Sequence, residues 1–374
     1  MEKKIILVAN VSKEHIRKFH IPIIQKMKAQ GWQVDVACRL DAPIPESDHA
    51  YDLPCDRNPF GGGIGKSVGI LRDILKKEHY DVILCNTITG GIIARVAARP
   101  FRAGGTKVFY INHGLHFFKG AAPLRWLLGY PVEKLLAPMT DVMITINEAD
   151  YQMAKTHLRT GRTVRIHGIG ANLQRFRDYR LTQQTREALR QDLGLAQEDF
   201  VLTYVAEIID NKNQQMLIKA FQQVKKNLPQ AKMLLVGPEH DEGKVRRMVE
   251  SFGLGESVKL LGWRDDVPGL LKISDVYVAS SKSEGLGLNL IEAMACGLPV
   301  VASKNRGHSE IIHHCVNGAL VEQDDYRAMA DWVLKLAADP ALRHSFVEKA
   351  QADIEQYETS YVLEELQRIF DLYA

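Results

Sequence analysis

Short, contiguous apolar runs alternate along the chain with longer stretches in which apolar residues recur at helical spacing. In the first half, residues 5–10, 33–38, 82–85, 108–112 and 142–146 read as strands, and 20–30, 67–79, 91–99, 124–136 and 148–157 as amphipathic helices. The second half repeats the scheme, with strands predicted at 201–206, 232–236, 258–261, 276–279, 300–302 and 318–321. Its helices are predicted at 213–226, 243–252, 268–272, 288–296 and 326–338. Strict strand–helix alternation implies a parallel sheet with helices on both faces. Each half is therefore expected to form one such α/β domain, although the halves share no sequence repeat. The glycine-bearing stretch 168–176 marks the expected boundary, giving domains 1–170 and 171–352, and a helical pattern over 353–374 follows the last strand. A ligand of such a protein is expected at the C-terminal ends of the strands, in a cleft between the two sheets.

The stretch 283–302 carries the most chemistry. Glu284 and Glu292 stand eight residues apart, in a passage that reads as a glycine-bearing loop, a short helix from Leu288 to Cys296 and a buried strand. Gly285 and Gly287 remove side chains from the loop around Leu286, and Gly297 suits the position just beyond the helix. A helix start with free N–H groups is an anion site. Glu284 precedes it and Glu292 lies about one turn in, so both carboxylates are placed to accept from hydroxyls. This unit is suited to a diphosphate flanked by two hydroxyl-bearing rings, as in a nucleotide-sugar. The same spacing also fits a glutamate on the solvated face of an ordinary surface helix.

Composition adds limits. The chain's 374 residues suffice for two full cores, and 46% hydrophobic with 25% charged residues is a globular composition. No run approaches the roughly 20 apolar residues of a membrane span, and the apolar stretch after Met1 reads as a first strand, so a cytoplasmic location is expected. Five scattered cysteines without a C-x-x-C pair fit reduced, buried thiols. The net charge of +3 hides a division: residues 1–180 carry 27 Lys+Arg against 16 Asp+Glu, and 181–374 carry 21 against 29. A basic first half points to an anionic partner such as a membrane surface or phosphates. Nucleic acid is not expected, since no recognition module is present.

The 283–302 passage resembles the Glu-x7-Glu motif of glycosyltransferase family 4, and the likeness extends through its Ala-Met-Ala-Cys-Gly-Leu-Pro-Val tail. The resemblance implies a GT-B fold: two Rossmann-like domains with parallel sheets facing a central cleft, the last helix crossing back to the first domain. It implies a retaining hexosyltransferase that uses a nucleoside-diphosphate sugar, expected to be a UDP-sugar, as substrate. In the family an Arg, and a Lys five residues on, bind the donor diphosphate. Here the Lys is Lys212, but Glu207 stands at the Arg position, where a carboxylate would repel phosphate. Either Glu207 faces a cation or it serves the sugar, and Arg306 is the candidate for that cation or for the missing phosphate ligand. Arg264 lies where the family places the base, and Trp263 beside it suits either that role or the core. His113, followed by a glycine at a strand end, corresponds to the family histidine under the transferred sugar. Catalysis is thus assigned to His113, Lys212 and Glu284.

Four segments resemble a subgroup serving capsule and exopolysaccharide assembly: 18–22 (Lys-Phe-His-Ile-Pro), 86–91 (Asn-Thr-Ile-Thr-Gly-Gly), 113–120 (His-Gly-Leu-His-Phe-Phe-Lys-Gly) and 145–151. They nominate Lys18, His20, Thr87, His116 and Lys119 for the acceptor side, and imply a saccharide on a polyprenyl diphosphate as acceptor. No metal or other cofactor is expected. The chain has no Asp-x-Asp, and the His113/His116 spacing lacks further ligands. The stretch from Gly61 to Ser67 imitates a P-loop but has Phe60 where the first glycine belongs. Residues 120–136 mix Trp126, Tyr130 and leucines with Arg125 and Lys134, as an interfacial membrane segment does or a core-packing helix can, with Pro131 expected to interrupt it. Two other readings stay open: a nucleotide-sugar epimerase on the same fold, and a non-catalytic sugar-nucleotide-binding partner of an assembly complex.

Overall fold

Among the described residues every pairing between strands is parallel, and the strands form two separate sheets. The computed structural model describes residues 3–56 and 62–374. It divides into one unit of Met1–Gly170 with Thr359–Ala374 and another of Ala171–Glu358.

The first unit contains β1 (Lys4–Val11), β2 (Gln33–Arg39), β3 (Ala50–Asp52), β4 (Val82–Asn86), β5 (Lys107–Asn112), β6 (Val142–Thr145) and β7 (Arg162–Arg165). Their order is β3-β2-β1-β4-β5-β6-β7, so direction along the sheet reverses between β1 and β4. Between the strands run α1 (Ile21–Ala29), α2 (Ile64–Lys77), α3 (Ile88–Ala98), α4 (Pro123–Leu136) and α5 (Glu148–His157). Ile6, Val8, Ile83, Cys85 and Tyr110 of the sheet are buried with Leu71 of α2 and Ile93 of α3 in one core. This double-sided burial explains why these strands are apolar at every position rather than alternating.

The second unit holds β8 (Phe200–Val205), β9 (Ala231–Val236), β10 (Val258–Leu260), β11 (Val276–Ala279), β12 (Val300–Ser303) and β13 (Ala319–Val321), ordered β10-β9-β8-β11-β12-β13. Its helices are α6 (Leu173–Arg177), α7 (Gln183–Asp192), α8 (Gln214–Asn227), α9 (Lys244–Ser251), α10 (Val267–Lys272), α11 (Leu288–Ala295), α12 (Arg306–Ile311), α13 (Tyr326–Ala338) and α14 (Pro340–Asp353). The closing helix α15 (Thr359–Tyr373) belongs to the first unit. There Phe370 stacks on Phe109 at 5.2 Å, and Glu365 holds His167 Nδ1 at 2.8 Å.

The structure differs from the sequence expectation in three places. Residues 353–358 stay with the second unit: Asp339 caps α14, Phe346 and Ala350 bury its inner face, and Asp353 accepts from Asn317 Nδ2 at 2.7 Å. Pro131 does not interrupt α4, which runs through it. The chain between β1 and α1, for which the sequence pattern predicts no element, winds as a π-helix, Ser12–His20. Gly61 of the P-loop-like stretch lies outside the described residues, and Gly63 at φ +75° caps the start of α2. No helix among the described residues is long and apolar enough to cross a membrane.

Candidate active site

In the second unit the strand order reverses between β8 and β11, and in a parallel sheet the C-terminal edge at such a reversal is where ligands bind. The loop after β8 is stitched to the loop after β11. Ser280 Oγ donates to the Lys212 carbonyl at 2.7 Å, Asn211 Nδ2 donates to the Ser283 carbonyl at 3.0 Å, and the Lys282 N–H donates to the Asn211 carbonyl at 2.8 Å. This stitching sets Lys212 Nζ 2.5 Å from Glu284 Oε1, with only 21% and 17% of the two side chains exposed. Burial pushes the Glu284 carboxyl up, but the Lys212 ammonium and the Ser281 hydroxyl outweigh it and hold the group below its ordinary value. The Glu284 carboxylate is therefore ionised at neutral pH. An ammonium has three donors, so Lys212 can hold Glu284 and still serve a second anion.

Beyond Glu284 the backbone turns through Gly287 at φ +116° into α11, whose first N–H groups have no partner within the helix. Gly297, at φ +84°, closes the helix end. Two residues of α12 shape the loop. Gly307 lies so close that an added Cβ would meet the Leu286 carbonyl oxygen at 2.5 Å and Glu284 Cβ at 2.8 Å. Arg306 Nε donates to the Glu284 carbonyl at 3.2 Å. His308 is fully buried behind Gly287, and its Nδ1–H donates to the Ser303 carbonyl at 2.7 Å. Burial lowers its pKa to about 4, against the pull of Glu284, so the ring is neutral. Sequence reasoning missed Gly307, His308 and Asn211. Only the closeness of the glycine to a polar triplet on a new helix could have drawn notice.

Other donor-side expectations change. Glu207 is exposed, its carboxylate enters no ion pair among the described residues, and only its carbonyl is used, by Gln214 Nε2 at 2.8 Å. Arg306 is therefore not the partner of Glu207 but a brace on the Glu284 loop. Arg264 is held by Asp266 through bonds of 2.8 and 2.6 Å, which fix the plane of the guanidinium and leave its faces open. Trp263 is 68% exposed and is not core.

Glu292 is half-buried on α11. Burial pushes its carboxyl up to about 7, opposed by Arg175. The folded protein thus retains a proton that the unfolded chain, with a carboxyl at about 4.3, gives up. Stability attributable to this group falls as pH rises from about 4.3 to about 7 and stays low above. Glu292→Gln should raise stability near pH 8 by roughly 2–3 kcal/mol and leave it unchanged near pH 4. Thermal denaturation across that range checks this, and an unaltered melting temperature near pH 8 contradicts it.

The first unit gathers a second constellation at its own reversal point. A π-helix bonds residue i to i+5, so His15 and His20 stack on one face, with Nε2 atoms 3.1 Å apart. An α-helix would have separated them. His113, at the end of β5, joins them with its ring 4.9 Å from that of His15. Its Nε2–H donates to Asn86 Oδ1 at 3.4 Å, and burial lowers its pKa to about 4. Burial, then His15 and His113, also lower His20. Thr87, next to Asn86, sits at φ +62°, a strained value for a β-branched residue and a common signature of functional backbone. The ring nitrogens of His15, His20 and His113 lie within 4.8 Å of one another, a spacing able to hold a transition metal. His116, by contrast, is exposed and outside this group. Lys18 is exposed and pairs with Glu14, and Lys119 is exposed. Of the acceptor-side residues, His20 packs on His113 with ring centroids 5.6 Å apart, and Thr87 follows Asn86, the residue that accepts from His113.

Two parallel α/β units of this topology, one with an anion-ready helix start backed by a lysine, define a GT-B glycosyltransferase. Residues 4–147 match the model described as "Glycosyl transferase 4-like" and residues 185–353 the one described as "Glycosyl transferases group 1". The chain is 38% identical to the putative glycosyltransferase EpsD of Bacillus subtilis, over 100% of this chain and 97% of that protein. It is 27% identical to the UDP-Gal:alpha-D-GlcNAc-diphosphoundecaprenol alpha-1,3-galactosyltransferase of Escherichia coli, over 90% and 87% of the two chains. Its fold superposes on Anabaena HepE, solved in complex with UDP and glucose, with a TM-score of 0.81 and 21% identity over 100% of both chains. The chain belongs to the family 4 glycosyltransferases.

Proposed function

We propose that this protein is a retaining hexosyltransferase that moves a sugar from a UDP-sugar to a saccharide carried on a polyprenyl diphosphate, in capsule, exopolysaccharide or O-antigen synthesis. The observation that carries the reading is the Lys212–Glu284 pair set at the start of α11. The diphosphate lies on the N–H groups at Gly287 and Leu288, with Lys212 taking up charge as the glycosidic bond breaks. Preorganised donors aimed at a leaving group lower the barrier more than any other device open to a site of this kind. Glu284, fixed by Lys212 and ionised, accepts from sugar hydroxyls, and Glu292 accepts from the ribose. His113, neutral and held by Asn86, positions the transferred sugar. The relatives named for undecaprenol-linked substrates support a lipid-linked acceptor.

A peripheral position on the cytoplasmic face of the membrane is part of this reading, supported by α4, where Leu124, Leu127 and Leu135 are 63%, 70% and 71% exposed on a unit rich in basic residues. The chemistry requires no metal, since charge on the leaving group is met by Lys212 and helix N–H groups.

A panel of UDP-sugars, assayed for UDP release with and without a polyprenyl-diphosphate saccharide, tests this reading. Release that depends on the acceptor and survives chelation by EDTA is expected. Isomerisation of the donor without an acceptor would instead identify an epimerase. Activity lost to EDTA and restored by zinc would transfer the metal role to His15, His20 and His113.

A further inference from the structure

The first unit contains a cavity of about 350 Å³ between α3, α4 and the loop after β5. Ile88 and Ile92 of α3, Phe117 of the loop and Leu124, Leu128 and Val132 of α4 line it. The α4 residues are spaced by four, so they form one stripe along the helix.

The polar groups at the cavity already have partners. Glu133 holds Arg95 through bonds of 2.7 and 3.1 Å and accepts from the Tyr110 hydroxyl at 3.3 Å. Arg95 also donates from Nε to the Gly91 carbonyl at 2.8 Å, and its guanidinium lies 4.2 Å over the Tyr110 ring. Asn112 donates to Tyr110 Oη at 3.1 Å and accepts from the Gly114 N–H at 2.9 Å. A polar guest would find few unused partners here, and an apolar guest loses nothing by entering. At the mouth, Leu124 and Leu128 are 63% and 46% exposed, and the exposed Arg125 also borders the cavity. Gly129 keeps the space open: an added Cβ would touch His116 Cβ at 3.4 Å and Phe117 Cδ1 at 3.6 Å, so a methyl fits and a longer side chain must enter the cavity.

We propose that this cavity seats the first isoprene units of a polyprenyl diphosphate, with Arg125 at the mouth facing the diphosphate. The inference rests on the lipid-linked acceptor proposed above. An apolar slot opening beside an exposed cation matches an amphiphile with an anionic head, and the basic character of residues 1–180 agrees with it.

The test is binding of farnesyl diphosphate (fifteen carbons) against isopentenyl diphosphate (five carbons), with UDP saturating so that the donor site does not compete. Each methylene moved out of water contributes about fourfold in affinity. The longer diphosphate should therefore bind at least about 100-fold more tightly, allowing for partial burial of the chain. Gly129→Leu, which fills the cavity, should remove most of that ratio. Leu128→Asp, at an exposed position that tolerates a charge without unfolding, should do the same. Equal affinities for the two diphosphates in the wild type, or a ratio untouched by both substitutions, would overturn the proposal. So would displacement of farnesyl diphosphate by phosphatidylglycerol vesicles but not by polyprenyl phosphate, which would assign the cavity to membrane acyl chains. Failure of the acceptor reading shows separately, as an absence of transfer to polyprenyl-linked saccharides while farnesyl diphosphate still binds.

Discussion

Replacing Lys212 with Ala is expected to lower kcat by roughly a hundred- to a thousandfold, the cost of losing one preorganised donor to a developing anion. The ammonium pairs directly with the Glu284 carboxylate, while the neighbouring Arg306 donates to the carbonyl of that residue. The substitution also leaves the burial of Glu284 without its main counterweight, and its carboxyl should rise. Removing one partner of a mostly buried pair costs about 1–3 kcal/mol in stability, below the range for fully buried pairs. Lys212→Ala combined with Glu284→Gln removes the stranded charge and should recover most of the melting temperature. It should recover none of the transfer rate. Initial rates and thermal melts on the three variants separate the two effects, and a single Lys212→Ala enzyme with near-normal kcat would remove the lysine from the mechanism.

Gly307→Ala should be nearly as damaging, although it adds one methyl and no charge. That methyl would lie 2.5 Å from the Leu286 carbonyl oxygen and 2.8 Å from both Leu286 N and Glu284 Cβ. These are backbone and near-backbone atoms, so relief requires the 284–287 loop to move. A displacement of about 1 Å in a group that positions substrate costs on the order of a hundredfold in rate. The loss should appear in kcat/KM for the donor, with a lower melting temperature, while the fold of the first unit is retained by circular dichroism. Full activity in Gly307→Ala would mean that the loop geometry does not set the site.

Much of this is legible in the sequence because the signals are local. The α11 unit is written in consecutive residues, with a glycine at each end, one carboxylate just before it and one within it. Apolar runs without alternation point to sheets buried on both faces. The rest depends on contacts that no local pattern records. His15 and His20 come together only because the chain after β1 winds as a π-helix, and helical periodicity at 3.6 residues places them on different faces. Gly307 and Arg306 act on a loop some twenty residues earlier, through the parallel arrangement of β11 and β12. By position Glu207 is a site residue, but the backbone after β8 turns its side chain to solvent while using only its carbonyl. Proline in a helix interior suggests a break at Pro131, whereas α4 passes through it.

A crystal structure of the protein with bound UDP tests most directly whether Lys212 and the start of α11 hold the donor. The diphosphate is expected on the N–H groups of Gly287 and Leu288, with Lys212 Nζ on a phosphate oxygen while still paired with Glu284, and the ribose hydroxyls on Glu292. A diphosphate bound elsewhere in the second unit, with Lys212 and the start of α11 untouched, would contradict it.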